Sequence, residues 1–139
     1  MKKTAAVFIV CILIAGLSGF SGCKTGAADG ILTGVKWILE AIRYAPANIV
    51  PIEKTFSLLF QKNGAVDMEV DCNFCGGTYL TGGNNAITIY TGNCTEAYCG
   101  DDSKDTDFHA ALNSASQYEI ENNRLIIYFD NGSLEFTSR

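Results

Sequence analysis

The chain has 139 residues, of which 10 are Lys or Arg and 15 are Asp or Glu, so its formal net charge is −5. This acidic balance argues against a nucleic-acid partner, because binding to phosphates depends on clustered basic residues. The length fits one domain of ordinary size with a short additional segment.

The first residues of the chain predict export. Lys2 and Lys3 precede an uncharged, mainly apolar run over residues 5–20. The run falls short of the roughly 20 apolar residues that a bilayer-spanning helix needs. A basic start, a short apolar run and then small residues are typical of a secretory signal peptide.

The end of this run, Phe20-Ser21-Gly22-Cys23, resembles a lipobox. The resemblance implies lipid transfer to the Cys23 thiol, cleavage before it and acylation of the new amino group. We therefore predict a lipoprotein signal peptide over residues 1–22, which is removed. Lipidated Cys23 and a short tether then occupy residues 23–31.

Lipidation predicts where the protein resides. Two or more acyl chains hold a protein stably to a membrane. Lys24 follows the cysteine, where an Asp would resemble an inner-membrane retention signal. We expect a bacterial envelope protein anchored in the outer membrane and facing the periplasm. Loss of Lys2 and Lys3 takes the 10 basic residues to 8 against 15 acidic residues, a net charge of −7.

Alternation of apolar and polar residues predicts strands over most of the remaining chain. Asn63-Gly64, Asn122-Asn123 and Asp130-Asn131-Gly132 predict tight turns between them. Residues 78–81 and 86–90 are predicted to form a hairpin around Gly82-Gly83-Asn84-Asn85. The other alternating apolar sets are Trp37, Leu39 and Ala41; Phe56, Leu58 and Phe60; Val66, Met68 and Val70; Tyr118 and Ile120; Leu125, Ile127 and Phe129; Leu134 and Phe136.

One segment has helical spacing: Phe108, Ala111, Leu112 and Ala115. Residues 105–107 precede it and are predicted to cap the helix and to make its first turn negative. We therefore predict a mainly β domain with one helix (α+β) over residues 32–139. Its antiparallel sheet of about eight strands is strongly curved or barrel-like, and the helix precedes the last three strands.

Four of the six cysteines remain after Cys11 leaves with the signal peptide and Cys23 takes the lipid. In an exported chain they are expected to form disulfides. An antiparallel hairpin pairs residues whose numbers have a nearly constant sum. The nested pairs Cys75–Cys94 and Cys72–Cys99 sum to 169 and 171, and the crossed pairs to 166 and 174. The nested pattern fits better, with a bulge absorbing the slip and a bend expected at Asn73-Phe74.

A zinc site is the alternative use of these cysteines. Cys72-x2-Cys75 and Cys94-x4-Cys99 are close to the spacing of a four-cysteine zinc site. An oxidising envelope favours disulfides over thiolate ligands. We therefore predict no bound metal and no cofactor.

The order of motifs resembles a known family. The motifs are Trp37-Ile38-Leu39; Phe56-Ser57-Leu58-Leu59-Phe60 with Asn63-Gly64; Cys72-Asn73 followed by Gly77-Thr78-Tyr79; Thr95-x-x-x-Cys99; and Phe108-x-x-Ala111-Leu112 with Tyr118, Leu125, Leu134 and Phe136. They resemble the META domain, the HslJ-like family of small envelope lipoproteins, from about Leu32 to Ser138. The resemblance implies that Cys72–Cys99 is the family's bridge and Cys75–Cys94 an addition, and that Asp71 replaces a usual Gly. It implies links to stress and drug tolerance, and no catalytic residues.

Several polar residues receive ordinary structural interpretations. His109, the single histidine, is predicted to be exposed on the helix and not catalytic. Asp101, Ser103 and Asp105 are spaced like calcium ligands, but Leu112 stands where a calcium loop needs Glu. We assign this segment to a solvated helix cap. Trp37 is assigned to the core.

The sequence therefore predicts a non-enzymatic envelope module. It would bind the membrane through the lipid on Cys23 and an unknown protein or small molecule through its domain. The alternative is a structural or assembly accessory lipoprotein of the outer membrane. A contiguous apolar concavity would favour the binding module, and a uniformly polar surface the accessory protein.

Overall fold

The structure, a computed structural model, describes residues 32–139. The predicted signal peptide, Cys23 and the tether lie outside the described residues. Within residues 32–139, no helix is long and apolar enough to cross a membrane. The elements in chain order are β1 (Lys36–Tyr44), β2 (Asn48–Pro51), β3 (Phe56–Phe60), β4 (Ala65–Val70), β5 (Asn73–Gly82), a 3-10 turn (Gly83–Asn85), β6 (Ala86–Cys94), α1 (Asp105–Asn113), β7 (Gln117–Glu121), β8 (Arg124–Phe129) and β9 (Gly132–Ser138).

Eight of these strands close a barrel. β1 and β3 to β9 each pair antiparallel with the next, and β9 pairs back with β1. β2 lies beside this ring and pairs with residues 41–44 of β1. The predicted fold class, including the helix before the last three strands, is confirmed. β2 was not predicted, because four residues ending in Pro51 are too few to show an alternating pattern.

β1 contains a bulge that widens its buried face. Trp37, Leu39 and Ala41 are buried as predicted, and Ile42 is buried as well. The pairing with β9 shifts between Leu39 and Ala41, so Glu40 is an extra residue on β1. A bulge of this kind turns the next residues of a strand. The inward face therefore includes both Ala41 and Ile42.

The barrel interior is filled by the alternating apolar residues and by one face of α1. Phe108 of α1 is fully buried, and its ring centroid lies 5.2 Å from that of Phe56 and 6.4 Å from that of Phe136. The edge-on arrangement of these rings adds to the hydrophobic free energy of burial. The buried face of the helix is therefore part of the hydrophobic core.

The start of α1 differs from the prediction. Asp105 and Asp107 lie within the first helical turn, and Lys104 is the N-cap residue, with no side-chain capping bond. The Ser103 hydroxyl instead accepts a hydrogen bond from the Asp105 amide, at 3.4 Å. The two carboxylates still favour this end of the helix dipole. At the other end, Ala115 is buried as predicted but lies beyond the helix.

The pairing between β6 and β7 is the shortest in the barrel. One residue pair, Ala86 with Gln117, defines it, together with a 3.0 Å hydrogen bond from the Ile87 amide to the Ser116 carbonyl. α1 lies in the connection between these strands and packs against β6. There the Thr91 hydroxyl donates to Asn113 Oδ1 at 3.0 Å. The helix thus supports the strand where sheet pairing is sparse.

Candidate functional site

The long loop after β6 is bound to the barrel by a disulfide and an asparagine. Cys72, in the turn before β5, is bonded to Cys99. The Asn73 side chain is buried beside this bridge and donates to the Ala97 carbonyl at 3.0 Å. Its Oδ1 accepts from the Ala97 amide at 2.8 Å and from the Thr95 hydroxyl at 2.9 Å. One buried amide therefore joins the Cys72-Asn73 motif to the Thr95-x-x-x-Cys99 motif.

The second disulfide joins the strands of the hairpin. Cys75 on β5 and Cys94 on β6 are opposite one another in the sheet and are bonded, with Cα atoms 4.0 Å apart. The structure thus has both bridges of the nested pattern, and the four domain cysteines are not free to form a four-thiolate zinc site while oxidised.

The hairpin departs from the predicted bend. β5 is continuous at Asn73-Phe74, and the register shifts instead between Cys75 and Gly77. Gly92 allows the two backbones to approach, because a Cβ there would lie 2.6 Å from the Gly76 carbonyl oxygen. The position sum changes from 168 at Gly77–Thr91 to 169 at Cys75–Cys94, so the bulge accounts for a slip of one residue.

Lys54 connects three parts of the chain next to the first bridge. Its ammonium donates to the Cys99 carbonyl at 2.9 Å and to Asp102 Oδ1 at 3.0 Å, and lies 3.3 Å from Asp71 Oδ2. The hydrogen bond with Asp102 raises the pKa of Lys54 and lowers the pKa of Asp102 from their ordinary values. Asp71 has φ of 57°, the left-handed region that favours glycine. The segment before α1 was predicted to be a solvated helix cap, but its Asp102 forms an ion pair with Lys54.

A cavity of about 290 Å³ lies beside this network. Its apolar wall is formed by the end of β2 and the start of β3, and its polar rim by charged side chains of both signs. The lining residues are Val50, Pro51, Ile52, Glu53, Lys54, Phe56, Asp102 and Lys104. An apolar cleft with a few convergent polar groups is the usual form of a small-molecule site, and this volume is near the lower end, about 300 Å³, of such sites.

His109 is not exposed as predicted. It is half-buried on α1, and its Nε2 lies 3.8 Å from Cys75 Sγ and 3.7 Å from Cys94 Sγ. Burial lowers the pKa of His109, and the Asp105 carboxylate partly opposes this effect. The error has a physical cause: the helix rotates His109 towards the hairpin when Phe108 enters the core, and no local pattern encodes that contact.

Trp37 is a core residue, as predicted. Its side chain is 1 % exposed, and its indole Nε1 donates to the Leu32 carbonyl at 3.0 Å. This bond satisfies the one polar atom of a buried tryptophan. It also fixes the entry of the chain into the domain.

These features define a small disulfide-linked β-barrel domain with an internal helix and a lateral cleft. The family model of the META domain matches residues 31–139, and the chain therefore belongs to the META domain family. The buried Asn73 and the Cys72–Cys99 bridge explain why two of the motifs that carried the resemblance, Cys72-Asn73 and Thr95-x-x-x-Cys99, occur together.

Two solved structures have a similar fold. One is a DUF4847 family protein from Bacteroides vulgatus ATCC 8482, with a TM-score of 0.61, 16 % identity, and coverage of 79 % of this chain and 96 % of that chain. The other is a protein from Burkholderia xenovorans determined by NMR, with a TM-score of 0.65, 16 % identity, and coverage of 81 % and 87 %. Comparison with curated proteins gives no match. At 16 % sequence identity, the similarity to these two structures shows a shared fold.

Proposed function

We propose that this META-domain protein is a lipid-anchored, non-enzymatic binding module of the bacterial envelope. Its ligand is a small, mainly apolar molecule with a polar group, bound in the cavity between β2 and β3. The cavity itself carries the proposal, because a contiguous apolar concavity is the feature that separates a binding module from a purely structural one.

The lining of the cavity supports this ligand class. The side chains of Val50, Ile52 and Phe56 offer apolar contact. At the rim, the Asp102 carboxylate interacts with two cations, the ammonium groups of Lys54 and Lys104. An apolar body would gain free energy from burial against the wall. A polar group at the rim would keep its hydrogen bonds to charged side chains or water.

The anchor rests on the lipobox-like Phe20-Ser21-Gly22-Cys23 and on the short segment that follows. Residues 24–31 span at most about 28 Å when fully extended, so the barrel would stay close to the membrane. We assign the outer membrane, facing the periplasm, from Lys24 at the position after the cysteine. Replacing Cys23 by Ser should release the exported protein into the soluble fraction. A Cys23→Ser protein that still pellets with membranes after a high-salt wash would contradict the anchor.

The non-enzymatic assignment is supported by what surrounds the reactive groups. The single imidazole contacts two disulfide sulfurs instead of a hydroxyl or a free thiol. The buried Ser57 hydroxyl donates to Glu69 at 2.8 Å. The imidazole contact involves no nucleophile, and Glu69 is a weak base for Ser57, because its hydrogen bond with Lys36 lowers its pKa.

The ligand site is tested with anilinonaphthalene sulfonate, an apolar anion that fluoresces when its surroundings become apolar. The full-length protein should bind it, and Ile52→Glu should weaken binding by about tenfold or more, equivalent to 1.4 kcal/mol. Ile49→Glu is the matched control, because Ile49 precedes the cavity wall on β2 and is 51 % exposed. Equal binding by the two variants, with both folded by circular dichroism, would place the dye elsewhere.

The surface is not uniformly polar, so the accessory role is supported by a different observation, namely exposed apolar side chains that a partner protein could cover. Phe74, Leu80 and Tyr90 are large apolar residues on the β5–β6 hairpin that are 63 %, 66 % and 58 % exposed. If Phe74→Ser with Tyr90→Ser reproduces the cellular phenotype of deleting the protein's gene and Ile52→Glu does not, the accessory role is favoured over ligand binding.

A further inference from the structure

We propose that reduction of the Cys75–Cys94 disulfide creates a zinc site formed by the two thiolates and His109. This site is separate from the cavity of the proposed function and does not depend on it. It also differs from the four-cysteine zinc site that the sequence spacing suggested.

The three ligand atoms are already close together. Cys75 Sγ, Cys94 Sγ and His109 Nε2 all lie within 4.8 Å of one another. From zinc–sulfur bonds of about 2.3 Å and zinc–nitrogen bonds of about 2.0–2.1 Å, tetrahedral geometry requires nitrogen–sulfur separations of about 3.6 Å. The observed separations are 3.8 and 3.7 Å, so the imidazole needs little movement. The two sulfurs would separate once the bond between them is broken.

Three different elements hold these ligands in place. Cys75 is a buried residue of β5, Cys94 ends β6, and His109 follows the fully buried Phe108 on α1. Strand pairing and core packing fix the backbones independently of the disulfide. The backbones should therefore keep their positions when the disulfide is reduced, which is the preorganisation that a metal site needs.

The site has an opening for the metal and for a fourth ligand. A cavity of about 410 Å³ is lined by Cys94 and His109, and also by Asn73, Tyr98 and Asp105. Zinc sites with three protein ligands keep a fourth position for water or another small ligand. The cavity provides that position.

The chemistry balances with a dithiol reductant. The reductant gives two electrons and two protons to the Cys75–Cys94 bond and itself becomes a disulfide, leaving two protein thiols. Zinc then displaces one proton from each thiol and accepts a lone pair from His109 Nε2. A disulfide oxidant reverses the step: it takes two electrons from the two thiolates, becomes two thiols itself, re-forms the Cys75–Cys94 bond and releases the metal. Zinc binding would therefore report the redox state of the hairpin.

The Cys72–Cys99 bridge belongs to a different environment. Among residues 32–139, the cluster that could hold a metal contains neither of these cysteines. Cys99 Sγ instead accepts a hydrogen bond from Asn73 Nδ2 at 3.3 Å. The two bridges can therefore be tested against each other in one chain.

The test uses the full-length protein, reduced with a phosphine and titrated with zinc against a chromophoric chelator. Reduced Cys72→Ala with Cys99→Ala should bind one zinc per chain, and reduced Cys75→Ala with Cys94→Ala should lose that site. His109→Gln should weaken binding by about 100-fold or more, since even outer-sphere partners change metal affinity by 10–100-fold. The oxidised protein should not bind zinc at this site.

A second measurement needs no substitution. In the reduced wild-type chain, zinc should protect Cys75 and Cys94 from alkylation and leave Cys72 and Cys99 reactive. Mapping by mass spectrometry separates these four from Cys11 and Cys23. Unprotected Cys75 and Cys94, or a zinc affinity that is unchanged by His109→Gln, would overturn the proposal.

Discussion

The two disulfides stabilise the domain in different ways. Cys75–Cys94 joins strands that are already paired in a sheet, over a sequence separation of 19 residues. Cys72–Cys99 spans 27 residues and restrains a loop that is otherwise held by hydrogen bonds. These involve the Asn73 side-chain amide, the Lys54 ammonium, and a pair between Thr95 and Phe74. We therefore expect a bridge to stabilise the fold most where no secondary structure holds the chain.

The largest effect is expected from removing the loop bridge. Cys72→Ala with Cys99→Ala should lower the free energy of unfolding by about 3–4 kcal/mol, because the unfolded chain gains loop entropy. Urea unfolding followed by the fluorescence of Trp37, the single tryptophan, measures this change. The amide of Ala97, which donates to Asn73, should also exchange its hydrogen faster. An unchanged exchange rate would mean that the remaining hydrogen bonds hold the loop without the bridge.

A smaller effect is expected from the hairpin bridge. Cys75→Ala with Cys94→Ala should lower the free energy of unfolding by about 2–3 kcal/mol without changing the fold. The strand pairing from Gly77 to Gly82 remains to hold the hairpin. Unfolding in urea under the same conditions gives the comparison directly. If this variant loses more stability than the loop variant, the bridge does more than duplicate the sheet.

The smallest effect concerns the ion-pair network beside the loop bridge. Lys54→Met should lower the free energy of unfolding by about 1–2 kcal/mol, because it leaves the nearly buried Asp71 without its cation. Lys62→Met is the matched control, since Lys62 is exposed on the β3–β4 turn. If both variants lose the same stability, the network contributes nothing specific.

The network also has a pH signature. Pairing with Lys54 lowers the pKa of Asp102 below its ordinary value of 3.8. A depressed carboxyl pKa stabilises the fold above the ordinary value, and this contribution is lost as the pH falls through the lower, folded-state pKa. In Lys54→Met, the Asp102 titration observed by NMR should move up towards 3.8. An unmoved titration would show that Lys54 does not determine it.

The barrel could be predicted because its determinants are local. Alternation such as Phe56, Leu58 and Phe60 specifies a strand with one buried face, and Asn63-Gly64 specifies the turn that follows. The disulfide register followed from the same arithmetic, since an antiparallel hairpin fixes which residues are opposite.

The candidate sites could not be predicted in this way. The cavity depends on β2, whose four residues show no alternation, and on a loop that Lys54 draws towards it. The cluster of Cys75, Cys94 and His109 depends on how α1 enters the barrel. Both sites arise where elements distant in sequence meet, and spacing along the chain does not record such contacts.

The pairing between β1 and β9, which closes the barrel, determines when the fold can be completed during synthesis. Seven residues of β1, from Trp37 to Tyr44, pair with seven of β9, from Ser138 back to Gly132. The first strand of the barrel therefore has no partner on one side until residues 132–138 have been synthesised. A nascent chain that lacks this segment exposes a strand edge, which is a risk for aggregation. The barrel therefore cannot close before its last strand is available to pair with its first.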